Sequence, residues 1–386
     1  MGNVARRLGS IGTIAIAVLL LIPAAASSSY REPAASVVGI EFLGEHTVAT
    51  GTSFDGTEVG GLSSITYDAQ RDVYYTISDD QGSRETGDPV RYYTLSLGFD
   101  ASGQTDPEVR FLEVTQLYGG RNEAFEPGGV DPEGLAYDGR AQLYVSAEGI
   151  LGDTIVDPFI RRYNRNGRPT ARLPIPLYYL PNGLDHGVRQ NLSFESLNLT
   201  PDGRSLVTAG EGALFQDGPA SSFTNSSLAR ILTYDIRRRR PVAEHVYEVG
   251  PWAEPSDIFG VNGIVELLPL DNDGSMLVME RSFSVGGALG GGTGNAVAIY
   301  AVSTLGASNV LGIDALYAGG TAIDVTPVSK RLVFEFDSLG IPIDNIEGMT
   351  FGPDLPDGRR SLIIVSDNNF AAGQFTQFIV LAVEIE

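Results

Sequence analysis

The stretch "VDPEGLAYDGRAQLYVSAEG", residues 130–149, reads as two short strands around an Asp138-Gly139 turn. Apolar and polar residues alternate on both sides of the turn, as expected for a hairpin with one buried face. A carboxylate stands at each end, Glu133 before the first strand and Glu148 after the second. Four further stretches repeat this pattern: "GGLSSITYDAQRDVYYTISDD" (60–80), "FESLNLTPDGRSLVTAGEG" (194–212), "VNGIVELLPLDNDGSMLVMERS" (261–282) and "IEGMTFGPDLPDGRRSLIIVSDNN" (346–369). The copies start roughly 60 to 85 residues apart. That period is long for a solenoid and suits the blades of a propeller with extended loops.

Each hairpin is followed by two more strand-like runs, for example "RYYTLSL" and "VRFLEVTQL" after the first. After the fifth there is only one, "QFIVLAVEI". The missing strand is available at the front of the chain, in "SVVGIEFLGEH" (36–46), and pairing it there removes an exposed sheet edge. The expected fold is therefore all-β: a β-propeller of four-stranded blades, with five repeats visible and its ring closed by the N-terminal strand. A sixth, degenerate blade has room in 37–60 or 303–330. Residues 36–386 form one propeller domain.

Composition agrees. The chain has 386 residues, 42% hydrophobic and 19% charged, with 47 glycines and 21 prolines, which favours turns and strands over helices. The net charge of −22 repels nucleic acid and anionic membranes. Residues 1–26 have the pattern of an export signal: Arg6 and Arg7, an apolar core from Ile11 to Ile22, and Ala24-Ala25-Ala26 as the cleavage site. Residues 27–35 then form a linker. The mature chain is expected to be secreted or periplasmic, monomeric and without a stable membrane anchor. With no cysteine, disulfides and thiolate chemistry are excluded.

In a propeller the first strand of each blade lines the central channel. The repeat then converges its acids on one rim. Before the first strand stand Glu133, Glu195 and Glu347, with Gly60 and Asn262 in the other two repeats; after the second stand Asp79, Glu148, Glu211, Glu280 and Asp367. Bare carboxylates so placed would repel one another. Arginines or a hard cation would hold them, and rings of oxygen ligands suit calcium. Arg281, directly after Glu280, is the best placed base for clamping an anion. There is no G-x-S-x-G motif. The histidines His46, His186 and His245 lack metal-ligand spacing, and His186 lies on a long loop that could overhang the rim. "RRRR" (237–240) falls between two strands, at an outer turn, and the glycine-rich "SVGGALGGGTGN" (284–295) reads as a flexible rim loop.

The motifs "DPEGLAYD…LYVSAEG", "FESLNLTPDG", "LVMERSF" and "IEGMTFGP…LIIVSDNNF", in that order, resemble the phytase-like family described as having esterase-like activity of phytase. The resemblance runs from about residue 36 to the C-terminus. It implies an exported β-propeller that hydrolyses phosphoesters or carboxylesters with calcium. It also implies roles for Glu133, Glu195, Glu347 and Asp367, which with Asp79 from the repeat form the expected metal set, and for Glu148, Glu211 and Arg281 acting on a small ester or phosphoester substrate. One departure stands out. A phytate pocket gathers basic groups, yet this chain has a single lysine, Lys330. Two alternatives therefore stay open: a lactonase-type propeller with one channel calcium, and a non-catalytic binding propeller in which calcium is structural.

Overall fold

The computed structural model describes residues 1–2, 35–82, 87–152 and 154–386. The chain divides into two units, Met1–Glu32 and Pro33–Glu386. The expected export signal, and all of the linker but residue 35, lie outside the described residues save for residues 1–2. The second unit is a ring of five four-stranded antiparallel blades. Blade 1 runs Leu62–Asp68, Val73–Ser78, Arg91–Gly98 and Glu108–Gln116 from the inside outward; blade 2 runs Pro132–Tyr137, Gln142–Ala147, Phe159–Asn164 and Pro169–Leu173. Blade 3 comprises Phe194–Leu199, Ser205–Gly210, Ser227–Asp235 and Arg240–Val249. Blade 4 comprises Gly260–Pro269, Ser275–Ser284, Asn295–Ser303 and Ser329–Glu335.

Blade 5 takes three strands from the C-terminus, Asn345–Asp354, Arg360–Asp367 and Phe375–Ile385, and its outermost from the N-terminus, Val37–Ala49. That last pairing runs from Val37 opposite Ile385 to Ala49 opposite Phe375, so the expected closure is present. The two segments with room for a sixth blade each hold only a two-residue-stranded hairpin, Ser53–Phe54 with Thr57–Glu58 and Tyr317–Ala318 with Thr321–Ala322. Neither has the apolar run that a four-stranded sheet needs. No helix among the described residues is long and apolar enough to cross a membrane.

Apolar residues of the strands meet between adjacent blades. Tyr75, Leu135 and Val145 share a cluster between blades 1 and 2, and Phe194, Leu206 and Tyr144 share one between blades 2 and 3. Equivalent clusters fill the other three junctions, so every blade is buried on both faces. This is why the middle strands read as continuous apolar runs such as Leu362 to Val365.

The innermost strands carry a shared irregularity. Each has a register shift near its start: Leu62/Ser64, Pro132/Leu135, Phe194/Ser196, Ile264/Glu266 and Ile346/Gly348. One extra residue bulges there: Ser63, Glu133, Glu195, Val265 or Glu347. A bulge bends its strand and re-aims the side chain it carries. Tight packing accompanies it. A side chain on Gly134 would put its Cβ 2.6 Å from Leu197 Cβ and 2.9 Å from the Glu195 carbonyl, so only glycine fits where blades 2 and 3 touch.

Candidate functional site

Counting from the bulge gives each blade three equivalent positions on the rim. The bulge residue is one. The second is the residue two before it: Gly61, Asp131, Ser193, Gly263 or Asn345. The third is the cross-strand partner of that residue. Asn345 pairs with Asp367 and Gly263 with Arg281. In the other blades the Asp79, Glu148 and Glu211 amides donate to the carbonyls of Gly61, Asp131 and Ser193. The third position therefore reads Asp79, Glu148, Glu211, Arg281 and Asp367 around the ring.

This count corrects the sequence alignment at blades 1 and 4. Gly60 and Asn262 are not the equivalents of Glu133; Ser63 and Val265 are. Glu280 does not join the acids. It is one residue off the rim position, and because successive strand residues face opposite ways its side chain points to the other face. There it accepts from Tyr247 Oη (2.6 Å) and Asn262 Nδ2 (3.0 Å) and pairs with Lys330. Arg281 takes the rim position instead. Its guanidinium lies 3.3 Å from Glu211 and 3.5 Å from Glu347.

The expected convergence of Glu133, Glu195 and Glu347 is present, each close enough to feel the others' charge. Asp131, which sequence reasoning passed over, joins Glu133 and Glu148 in a triad whose ligand oxygens all lie within 4.8 Å of one another. A second triad with the same limit consists of Glu148, Glu195 and Glu211. Asp79 faces Asp367, Glu347 and Asp131. The signal for Asp131 was its place two residues before Glu133, where Asn345 precedes Glu347.

Burial dominates the electrostatics. It holds Asp79, Glu133, Glu148 and Glu195 well above the usual carboxylate range, and the charges of their neighbours push the same way. Glu211 is raised to about 7 by burial, with Arg281 pulling down. Glu347 is raised to about 8 by burial and then by the Asp367 charge, again against Arg281. Asp367 rises only to about 6, because the Asn369 amide at 2.6 Å and Asn345 Nδ2 at 3.1 Å favour its ionised form. Two oxygens of this rim, Asp79 Oδ1 and Glu148 Oε2, are buried without a hydrogen-bond partner. An all-oxygen donor set with unspent buried oxygens fits calcium.

A cleft of about 1030 Å³ opens on the rim, lined by residues from blades 3 to 5 and the intervening loops. Glu211, Arg281 and Glu347 line it, together with Asn345 and Asn369. Trp252, Phe259 and Phe283, around the start and end of the blade 4 hairpin, supply aromatic surface. Of the three residues expected to act on substrate, Glu211 and Arg281 line the cleft and Glu148 does not. Gly291, Gly292, Thr293 and Asn295 of the glycine-rich loop line it too. His186 does not overhang the rim. It pairs with Asp314 at 3.4 Å, on an insertion whose Val310 and Val328 amides bond the outermost strand of blade 3. The arginines 237–239 sit in an exposed outer turn.

A family model described as "Phytase-like: Esterase-like activity of phytase" matches residues 57–370. The chain belongs to the phytase-like family. That membership supports a hydrolase-like function for the propeller. No curated protein matches the sequence closely enough to count as a relative. Among solved structures, the chain is similar to the periplasmic gluconolactonase PpgL of Pseudomonas aeruginosa, at 12% identity and TM-score 0.34, over 91% of this chain and 99% of that one. It is also similar to the RRP9 WD40 repeats, at 10% identity and TM-score 0.35, over 90% of this chain and 100% of that one. U3-55K matches at 10% identity and TM-score 0.33, over 88% and 99%.

Proposed function

We propose that this phytase-like protein is an exported, monomeric, calcium-dependent hydrolase of small esters or phosphoesters. One observation carries it: a buried rim of carboxylates, two of them with unpartnered oxygens, continues through Glu211 and Glu347 into a cleft that also presents an arginine. Asp131, Glu133, Glu148, Glu195 and Glu211 would hold calcium. When bound, calcium supplies Lewis acidity to the reacting ester oxygen and acidifies nearby water.

The protein's own groups supply orientation and proton transfer. Arg281 keeps Nε buried and without a partner beside the cleft, so that N–H can donate to a substrate oxygen. Glu211 and Glu347 hold it in place from either side. Glu347, raised to about 8 and lining the cleft, is placed to take or return a proton near neutral pH. The aromatic residues exclude water from one side of the bound molecule.

A lactone is the second reading, and a specific feature favours it over phytate. Among the described residues, Arg281 is the only basic one lining the cleft, and two carboxylates already engage it. A polyanion would meet more negative than positive charge. The test is a panel of phosphomonoesters, carboxylesters and lactones, assayed with calcium and with chelator. Calcium-dependent turnover of one class, lost in Arg281→Met, is the expected result. No turnover of any class, with calcium bound, would leave a binding propeller with structural calcium.

A further inference from the structure

We propose that the rim binds two divalent cations side by side, one in blade 2 and one in blade 3, bridged by Glu148. This rests on the calcium-dependent reading above and fixes its stoichiometry.

The three rim positions form five copies of one small site, and the copies are not equal. In blade 2 they are Asp131, Glu133 and Glu148, three carboxylates whose oxygens lie within 4.8 Å of one another. In blade 3 they are Ser193, Glu195 and Glu211. Serine stands where blade 2 has Asp131, and the missing carboxylate is made up by Glu148, which gathers with Glu195 and Glu211 inside the same 4.8 Å. Calcium–oxygen distances of about 2.3–2.6 Å span about 5 Å across one ion. That is the size of each triad, and the two are separate groups that share only Glu148.

Two independent oxygens point to ligands there. Glu148 accepts the Ser193 amide on Oε1, while its buried Oε2 meets no donor and its carboxyl lies against that of Glu195. Ser193 Oγ is also buried with no partner. Both residues are only 1% exposed. A buried polar atom left unpaired is costly, and native proteins rarely keep two together unless a ligand completes them. Glu148 belongs to both triads, so it is the bridge.

The remaining copies explain why the number is two. In blade 5, Asn345 Nδ2 donates to Glu347 (2.8 Å) and Asp367 (3.1 Å), and Arg281 approaches Glu347, so donors already stand between those acids. Blade 4 has Gly263, Val265 and Arg281, with no carboxylate. Blade 1 has Gly61 and Ser63 beside Asp79 alone.

The test is calcium titration of the full chain by calorimetry, with metal analysis of the loaded protein and circular dichroism of each variant as a check on folding. Two ions per chain are expected. Asp131→Asn and Glu195→Gln should each lose one ion, and not the same one, so the double variant loses both. Glu148→Gln should weaken both. Ser193→Ala leaves the charge of the rim unchanged and should weaken a single ion by about tenfold. One ion per wild-type chain, or a double variant matching either single one, would overturn the bridged pair while leaving calcium dependence standing. No bound calcium at all would overturn both.

Discussion

Replacing Glu266 by glutamine should flatten the pH dependence of stability between pH 5 and 9. Glu266 is fully buried in the innermost strand of blade 4, one residue past the bulge. It reaches across the channel, accepting from Ser64 Oγ of blade 1 (2.9 Å) and the Leu197 amide of blade 3 (3.3 Å). Burial raises its pKa from 4.5 to about 8, although these bonds pull the other way. The folded protein thus keeps a proton that the unfolded chain releases near 4.5. Between those values the unfolded state binds fewer protons, so stability falls as pH rises; the contribution is complete below the unfolded value and gone above the folded one. From pH 5 to 9 the loss is on the order of 4 kcal/mol. Glutamine keeps the shape, still accepts from the backbone, and meets a serine hydroxyl that can reverse its role. Urea unfolding at each pH unit, in a fixed excess of calcium, measures the difference between the two proteins, in which titration of the rim acids largely cancels. The variant should stay within about 1 kcal/mol of wild type at pH 5 and exceed it clearly at pH 9. Parallel profiles would refute a neutral buried Glu266.

Three further outcomes are expected. Deleting residues 37–49 leaves the Phe375–Ile385 strand with a bare edge, and size-exclusion chromatography should show aggregation instead of a monodisperse protein. Calcium at about a hundredfold over Kd should add roughly 2.7 kcal/mol of stability per bound ion and raise Tm by several degrees; a Tm indifferent to calcium would count against any site on the rim. Gly134→Ala drives a methyl group into Leu197 and the Glu195 backbone and should cost about 1–3 kcal/mol in denaturant unfolding, with weaker calcium binding because Glu195 must move.

The blades were legible because turn residues and two-residue alternation recur at each hairpin, and closure followed from the one strand missing after "QFIVLAVEI". At the site, alignment by the acids themselves worked in blades 2, 3 and 5 and failed in blades 1 and 4. A bulge inserts a single residue without any compositional mark, and one residue decides which face a side chain occupies. Glu280 and Arg281 are neighbours in sequence but lie on opposite faces, and only the observed register separates them. Asp131 was hidden for a related reason: its counterparts are glycine in two blades, serine in one and asparagine in another. Trp252 and Phe259 come from a connection with no repeat to compare.

The pairing of Val37–Ala49 with Phe375–Ile385 also has a consequence in time. The strand made first must wait for the strand made last. At synthesis rates of about 5–20 residues per second, that interval is on the order of 20–70 seconds. Throughout it the segment has no native partner, yet the chain around it is already forming sheets that could recruit it. Its sequence is suited to waiting: Gly39 and Gly44 interrupt it, and Glu41 and Glu45 charge it. Completion of the ring is therefore a late event that reports on the whole polypeptide, and a truncated chain, however well its early blades have formed, never reaches it.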